Sequence, residues 1–121
     1  MKILIVDDSR AMRMIVRRTL RQAGYGQHDI EEAANGREGY EQIQKHTPDL
    51  VLCDWNMPEM TGIELLQQLK GEGHGVKFGF VTSESTEDMR AKASAAGALF
   101  LIAKPFTPDA FKGALEPHLG A

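Results

Sequence analysis

Residues 49–58 read DLVLCDWNMP. Leu50, Val51, Leu52 and Cys53 form an unbroken apolar run of strand length, without the alternation of a half-exposed strand. Such a run suits a strand buried on both faces of a parallel sheet. It ends at Asp54, a carboxylate at the carboxyl end of that strand. The pattern recurs along the chain. Residues 3–6 are followed by Asp7 and Asp8, residues 78–81 by Thr82, and residues 99–103 by Lys104. A fifth, more polar segment, 29–34, reads as an edge strand.

Helical periodicity fills the intervals. Met12, Ile15, Val16, Leu20 and Ala23 share one helical face. Tyr40 and Ile43 mark a second helix, opened by Gly36 and followed by Pro48. Ile63, Leu66 and Leu69 mark a third, with Thr61 and Glu64 in a capping-box pattern and Gly71 and Gly73 at its end. Met89, Ala93 and Ala96 mark a fourth, closed by Gly97. Phe111, Leu115 and His118 mark a fifth, with Thr107 as N-cap and Pro108 at its first position. Five βα units in strict alternation predict an α/β fold, a doubly wound five-stranded parallel sheet with helices on both faces. In such sheets ligands bind beyond the carboxyl ends of the strands.

The 121 residues fit one core, so a single domain over 1–121 is expected. A net charge of -3 argues against nucleic acid as the main partner. The run Arg10, Arg13, Arg17, Arg18 and Arg21 reads as the solvated face of the first helix rather than an anion-binding patch. Cys53 is the only cysteine, which rules out an internal disulfide and suits a reducing compartment. Its apolar neighbours suggest a buried, unreactive thiol. The amino terminus turns acidic too soon for a signal peptide, and the longest apolar run, 98–103, is far short of a membrane span. A cytoplasmic protein without a membrane partner is the expectation.

The strand ends carry the chemistry. Asp7, Asp8, Asp54, Thr82 and Lys104 should converge on one edge of the sheet. Each alone has a plain structural role: a helix cap, a loop hydroxyl, a surface charge. Together they make a site. Packed carboxylates repel, so their pKa values rise or a cation binds among them. Mg²⁺ suits such a set, because it keeps several waters while taking a few carboxylates and a phosphoryl oxygen. Lys104 would neutralise the remaining charge and grip a transferred group. Thr82 can donate to a phosphoryl oxygen. Asp54, the most central carboxylate, is placed to attack phosphorus and form an acyl phosphate.

Val6-Asp7-Asp8-Ser9, residues 54–58 (DWNMP), Thr82-Ser83-Glu84 and Lys104-Pro105-Phe106 resemble the signature blocks of response-regulator receiver domains, in order and spacing across the whole chain. Residues 53–58 and 12–13 are similar to the stand-alone chemotaxis regulators of that family. The resemblance implies a flavodoxin-like strand order, 2-1-3-4-5, and phosphorylation of Asp54 by a histidine kinase. It implies Mg²⁺ held by Asp8, Asp54 and the backbone carbonyl of Asn56, with Asp7 acting through water. Thr82 would be the switch hydroxyl, Lys104 the phosphate-contacting amine, and the bond before Pro105 cis. Asn56 and Glu84 flank the place where the family tunes its self-dephosphorylation, and here imply a short-lived phosphorylated state. Such a protein is not a turnover enzyme; it catalyses only its own phosphotransfer and autodephosphorylation. It acts on a downstream protein through the face formed by the fourth helix, fifth strand and fifth helix. Control of chemotaxis or motility is the leading expectation, and a phosphorelay intermediate or phosphate sink the alternative.

Leu101 departs from the family, which usually carries Tyr or Phe three residues before the lysine. Phe100 should point to the opposite face of the sheet and so cannot substitute. Glu87 and Ala114 stand where the chemotaxis regulators carry lysines that help bind the flagellar motor switch. Two rival chemistries fit less well. A flavin-binding protein needs a phosphate-holding loop after the first strand, where Asp7 and Asp8 would repel. A haloacid dehalogenase-type hydrolase needs an acid two residues after its nucleophile, where Asn56 stands. His28, His46, His74 and His118 lack the spacing of a metal site.

Overall fold

Strands and helices alternate without exception in the computed structural model, which describes residues 1–83 and 85–119. The order is β1 (Lys2–Val6), α1 (Arg10–Leu20), β2 (Asp29–Ala33), α2 (Gly36–His46), β3 (Leu50–Cys53), α3 (Gly62–Gly71), β4 (Lys77–Thr82), α4 (Glu87–Ala96), β5 (Phe100–Ala103) and α5 (Pro108–Leu119). All strand pairs are parallel, in the order β2-β1-β3-β4-β5. Strand order therefore reverses at β1, which opens a crevice at the carboxyl ends of β1 and β3.

Alternation within each strand divides the core in two. Leu4, Val6, Val51, Cys53, Phe78 and Phe80 face α2, α3 and α4. Ile3, Ile5, Leu50, Leu52, Val81 and Ile102 face α1 and α5, where Val16, Leu20, Phe111 and Leu115 complete the packing. A continuous apolar strand thus feeds both layers.

The expected caps are in place. Thr61 and Glu64 form a reciprocal capping box, and α2 opens at Gly36, with Asn35, a cap the sequence reading did not name, accepting from the Glu38 N–H. Gly97 ends α4 with φ 101°, and Thr107 Oγ1 accepts from Ala110 N–H. The cap of α1 is Ser9 rather than Asp8, its hydroxyl accepting from Met12 N–H.

Three local expectations need correction. Ile15 is 39% exposed; the buried stripe of α1 is narrow, and Thr19 lies inside it with its hydroxyl donating to the Ile15 carbonyl. The helix does not run regularly to Ala23 but widens into a π-helical turn, Arg21–Tyr25, where Gly24 takes φ 99°. Leu99 precedes β5 with an exposed side chain, although its N–H still pairs with the Phe78 carbonyl. Among the described residues, no helix is long and apolar enough to cross a membrane.

The arginines of α1 also divide. Arg10, Arg18 and Arg21 are exposed, as a solvated face requires. Arg13 and Arg17 instead reach across to Glu32 of β2, at 2.8 and 2.9 Å. Partial burial pushes the Glu32 carboxyl up, but hydrogen bonds and charge from the two guanidiniums outweigh it and hold it below its ordinary value. Its stabilisation is therefore complete above the ordinary carboxylate range and is lost as pH falls through the depressed folded value. Glu32→Gln is expected to lower stability in urea by about 1 kcal/mol at neutral pH. It should also flatten the acid limb of the stability curve, and superimposable acid limbs would refute this account.

Candidate functional site

The crevice at the reversal point is lined by the strand-end residues. Val6 and Cys53 are register partners, and Asp54 N–H donates to the Val6 carbonyl at 2.8 Å. This continues the β1–β3 ladder one residue further, so Asp7 and Asp54 emerge side by side. Across the sheet, Lys104 N–H donates to the Thr82 carbonyl at 2.8 Å and extends the β4–β5 pair in the same way. Thr82 is not beyond β4 but its last residue, fully buried. The Lys104–Pro105 bond is cis.

One carboxylate oxygen from each of Asp7, Asp8 and Asp54 lies within 4.8 Å of the others. Asp7 is buried, its Oδ1 accepting from Ser9 N–H at 2.9 Å. Asp54 is 9% exposed, and its Oδ1 accepts from Trp55 N–H at 2.8 Å. Asp8 is exposed and keeps one side of the cluster open. Lys104 Nζ stands 3.4 Å from Asp7 Oδ2 and 3.7 Å from Asp54 Oδ1. Burial raises the Asp54 carboxyl above its ordinary value; Lys104 pulls it down, Asp7 pushes it up, the Trp55 N–H lowers it and Asp8 raises it. Burial, with the charges of Asp54 and Asp7, also pushes the Cys53 thiol well up, so it stays protonated and inert.

Among the described residues, three carboxylates against one ammonium make an acidic, oxygen-rich cluster. Its donor set fits a hard divalent cation of the Mg²⁺ kind and offers nothing to a soft metal. Asn56 lies exposed in the loop after Asp54. Glu84 falls outside the described residues.

Leu101 pairs with Phe80 in register and packs on the α4 side of the sheet, partly buried. Phe100 lies on the other face, over Gly79 and with its ring 6.0 Å from His118. The two side chains thus lie on opposite faces of the sheet, as strand alternation requires.

Two positions at the site were not singled out from sequence. Gly62, at the first position of α3, lies so close to Asp54 that a Cβ would collide with the Asp54 carbonyl oxygen. A glycine opening a well-capped helix, where alanine would serve the helix better, was the available signal. Arg13 donates through Nη1 to the Asp7 carbonyl at 2.6 Å. Beyond the resemblance at residues 12–13, nothing in a run of five arginines gives that one a place at the site.

A family model described as the response regulator receiver domain matches residues 3–116. The chain is 38% identical to chemotaxis protein CheY1 of Helicobacter pylori, over 99% of this chain and 98% of that protein. It is 35% identical to sporulation initiation phosphotransferase F of Bacillus subtilis, over 98% and 93%. The solved structure of chemotaxis protein CheY4 of Vibrio cholerae superposes with a TM-score of 0.85 at 33% identity, covering 98% of each chain. With the acidic crevice, the strand order and these likenesses in agreement, the chain belongs to the response regulator receiver domain family.

Proposed function

We propose that this protein is a cytoplasmic response regulator that accepts a phosphoryl group on Asp54 from the phosphohistidine of a histidine kinase. The observation that carries the reading is the cluster of Asp7, Asp8 and Asp54 oxygens within 4.8 Å, with Lys104 Nζ beside two of them. An Asp54 oxygen forms the new O–P bond as the N–P bond of the donor breaks and the imidazole departs. Asp7, Asp8, Asp54 and the backbone carbonyl of Asn56 would hold Mg²⁺, which when bound neutralises charge between carboxylate and phosphoryl oxygens. The Lys104 ammonium, already poised beside the acceptor, shifts to a phosphoryl oxygen, and the Thr82 hydroxyl donates to another. The open side at Asp8 is the approach for the donor. Glu84 and Asn56 set the lifetime of the acyl phosphate.

The readout passes through α4, β5 and α5 to a downstream protein. Relatives named as chemotaxis proteins favour chemotaxis or motility as the pathway. Leu101, Glu87 and Ala114 alter that surface, so its partner need not be the one those relatives engage.

Incubation with acetyl phosphate tests the chemistry. The wild type should be labelled at one phosphoryl group per chain in Mg²⁺, labelling should vanish in excess EDTA, and the label should decay within minutes of donor removal. Failure to label in Mg²⁺, or full labelling in EDTA, would overturn the acceptor reading. Phosphoryl transfer from the labelled protein to a purified histidine phosphotransfer domain would point instead to a relay.

A further inference from the structure

We propose that Arg13 is a positioning residue for the acidic site, fixing the peptide unit that joins Asp7 to Asp8; this rests on the reading of both aspartates as cation ligands. Asp7 leaves β1 with each of its polar groups engaged. Its N–H donates to Ala33 O at 3.1 Å, Oδ1 accepts from Ser9 N–H, and Oδ2 faces Lys104 Nζ. Its carbonyl oxygen accepts from Arg13 Nη1 at 2.6 Å. That carbonyl belongs to the planar unit ending at the Asp8 Cα, so rotating it swings the Asp8 carboxylate relative to Asp7. Asp8 itself is exposed, so the peptide unit that carries it bears on where its carboxylate sits.

The guanidinium is itself held. Arg13 Nε donates to Glu32 Oε1 at 2.8 Å, which fixes the plane of the fork and aims Nη1 at the carbonyl. Glu32 Oε2 accepts from Arg17 Nε at 3.1 Å, and Arg17 Nη2 donates to Ile30 O at 2.9 Å. Arg17 thus ties α1 to β2 through the other Glu32 oxygen and the Ile30 carbonyl, while the Arg13 fork keeps its own bond to Oε1. A rigid fork can serve Glu32 and the carbonyl at once in this geometry; a lysine ammonium is a point charge that cannot. Side chains behind metal ligands commonly set affinity in this way.

Charge and position predict opposite outcomes. Removing a cation beside an acidic pocket should tighten Mg²⁺ binding if electrostatics alone mattered. Removing a positioning group should weaken it. The experiment is titration of the purified full chain with Mg²⁺, followed by fluorescence of Trp55, the single tryptophan and the neighbour of Asp54, and by calorimetry. Arg13→Lys, which keeps the charge, is expected to raise the Mg²⁺ Kd about tenfold, the lower end of the range for such groups. Arg13→Ala should weaken binding at least as much, despite the lost positive charge. Arg17→Gln should leave the Kd unchanged while lowering the urea midpoint comparably.

A wild-type Kd in Arg13→Lys, tighter binding in Arg13→Ala, or equal weakening in Arg17→Gln would overturn the inference; the last would reduce Arg13 to an anchor of α1 on β2. A wild type that neither responds to Mg²⁺ nor takes label from acetyl phosphate would overturn the reading of the site, and this inference with it. A wild type that does both, beside unaffected Arg13 variants, sinks the positioning role alone. Should Arg13→Ala fail to fold, Arg13→Lys decides.

Discussion

Asp54→Asn is expected to abolish labelling by acetyl phosphate and, in metal-free buffer, to raise the melting temperature. The first effect is chemical. An amide is too poor a nucleophile to form the acyl phosphate, and among the described residues no other carboxylate shares Asp54's place at the end of β3. The second follows from the electrostatics of the crevice. Asparagine keeps the size of the side chain and an oxygen to accept the Trp55 N–H, but removes a charge that burial and two other aspartates disfavour. Lys104 offsets part of that cost from 3.7 Å, too far for a direct hydrogen bond. Relief of such a strained functional group is worth about 1 kcal/mol, which in a domain of this size raises Tm by about 4 °C.

The pH dependence carries the opposite sign to that of Glu32. A carboxyl whose folded pKa lies above its unfolded value binds more protons in the native state. Its contribution therefore falls as pH rises through the window between those two values. In EDTA, the wild type should lose stability relative to Asp54→Asn as pH rises from the ordinary carboxylate value through the raised folded one. Added Mg²⁺ should narrow the gap, since the ionised carboxylate then has a cation to face. Labelling of Asp54→Asn at the wild-type level would remove Asp54 as acceptor. A lower Tm for the variant in EDTA would show that Lys104 more than compensates the buried charge.

Much of this was legible in the sequence because it is written in short, local signals. Residues 50–53 are apolar without a break, and the strand lies where that run does, feeding side chains to both layers. Caps such as Thr61 with Glu64 span three residues and need no tertiary information. The carboxylates, hydroxyl and amine could be gathered because parallel strands all end on one edge, so position in a run gives position in the fold. What escaped depends on distance between elements. Ile15 has the right residue type and roughly the right phase for the core, but the width of the buried stripe is decided by how α1 sits on the sheet. Arg13 differs from Arg10 and Arg18 only in what β2 and the β1 turn place opposite it. Gly62 is small because Asp54 is near, and no spacing in the chain states that distance.

Gly62→Ala is expected to damage the fold and the acceptor together, although on helix propensity alone it should help. Alanine in place of glycine favours a helix by about 1 kcal/mol. Gly62 N–H donates to the Trp55 carbonyl at 2.8 Å, which docks the start of α3 against the strand end. In that position an added Cβ collides with the Asp54 carbonyl oxygen and stands 2.9 Å from Cε1 of Phe80. Neither can step aside cheaply. The oxygen is main chain, and the Phe80 ring is fully buried between Phe78 and Trp55. Either α3 retreats and loses its docking bond, or the Asp54 main chain shifts. Overpacking of this kind costs about 3 kcal/mol, which outweighs the helix gain and leaves a net loss of about 2 kcal/mol. A shift of about 1 Å in the nucleophile's backbone lowers the rate of phosphoryl uptake by up to about a hundredfold. Gly71, at the far end of the same helix, has open space where its Cβ would lie. Gly71→Ala should therefore be neutral or slightly stabilising and should label at the wild-type rate. Urea denaturation and acetyl phosphate labelling of the two variants separate the explanations. If Gly62→Ala labels as fast as wild type, the close approach of α3 to Asp54 does not position the acceptor.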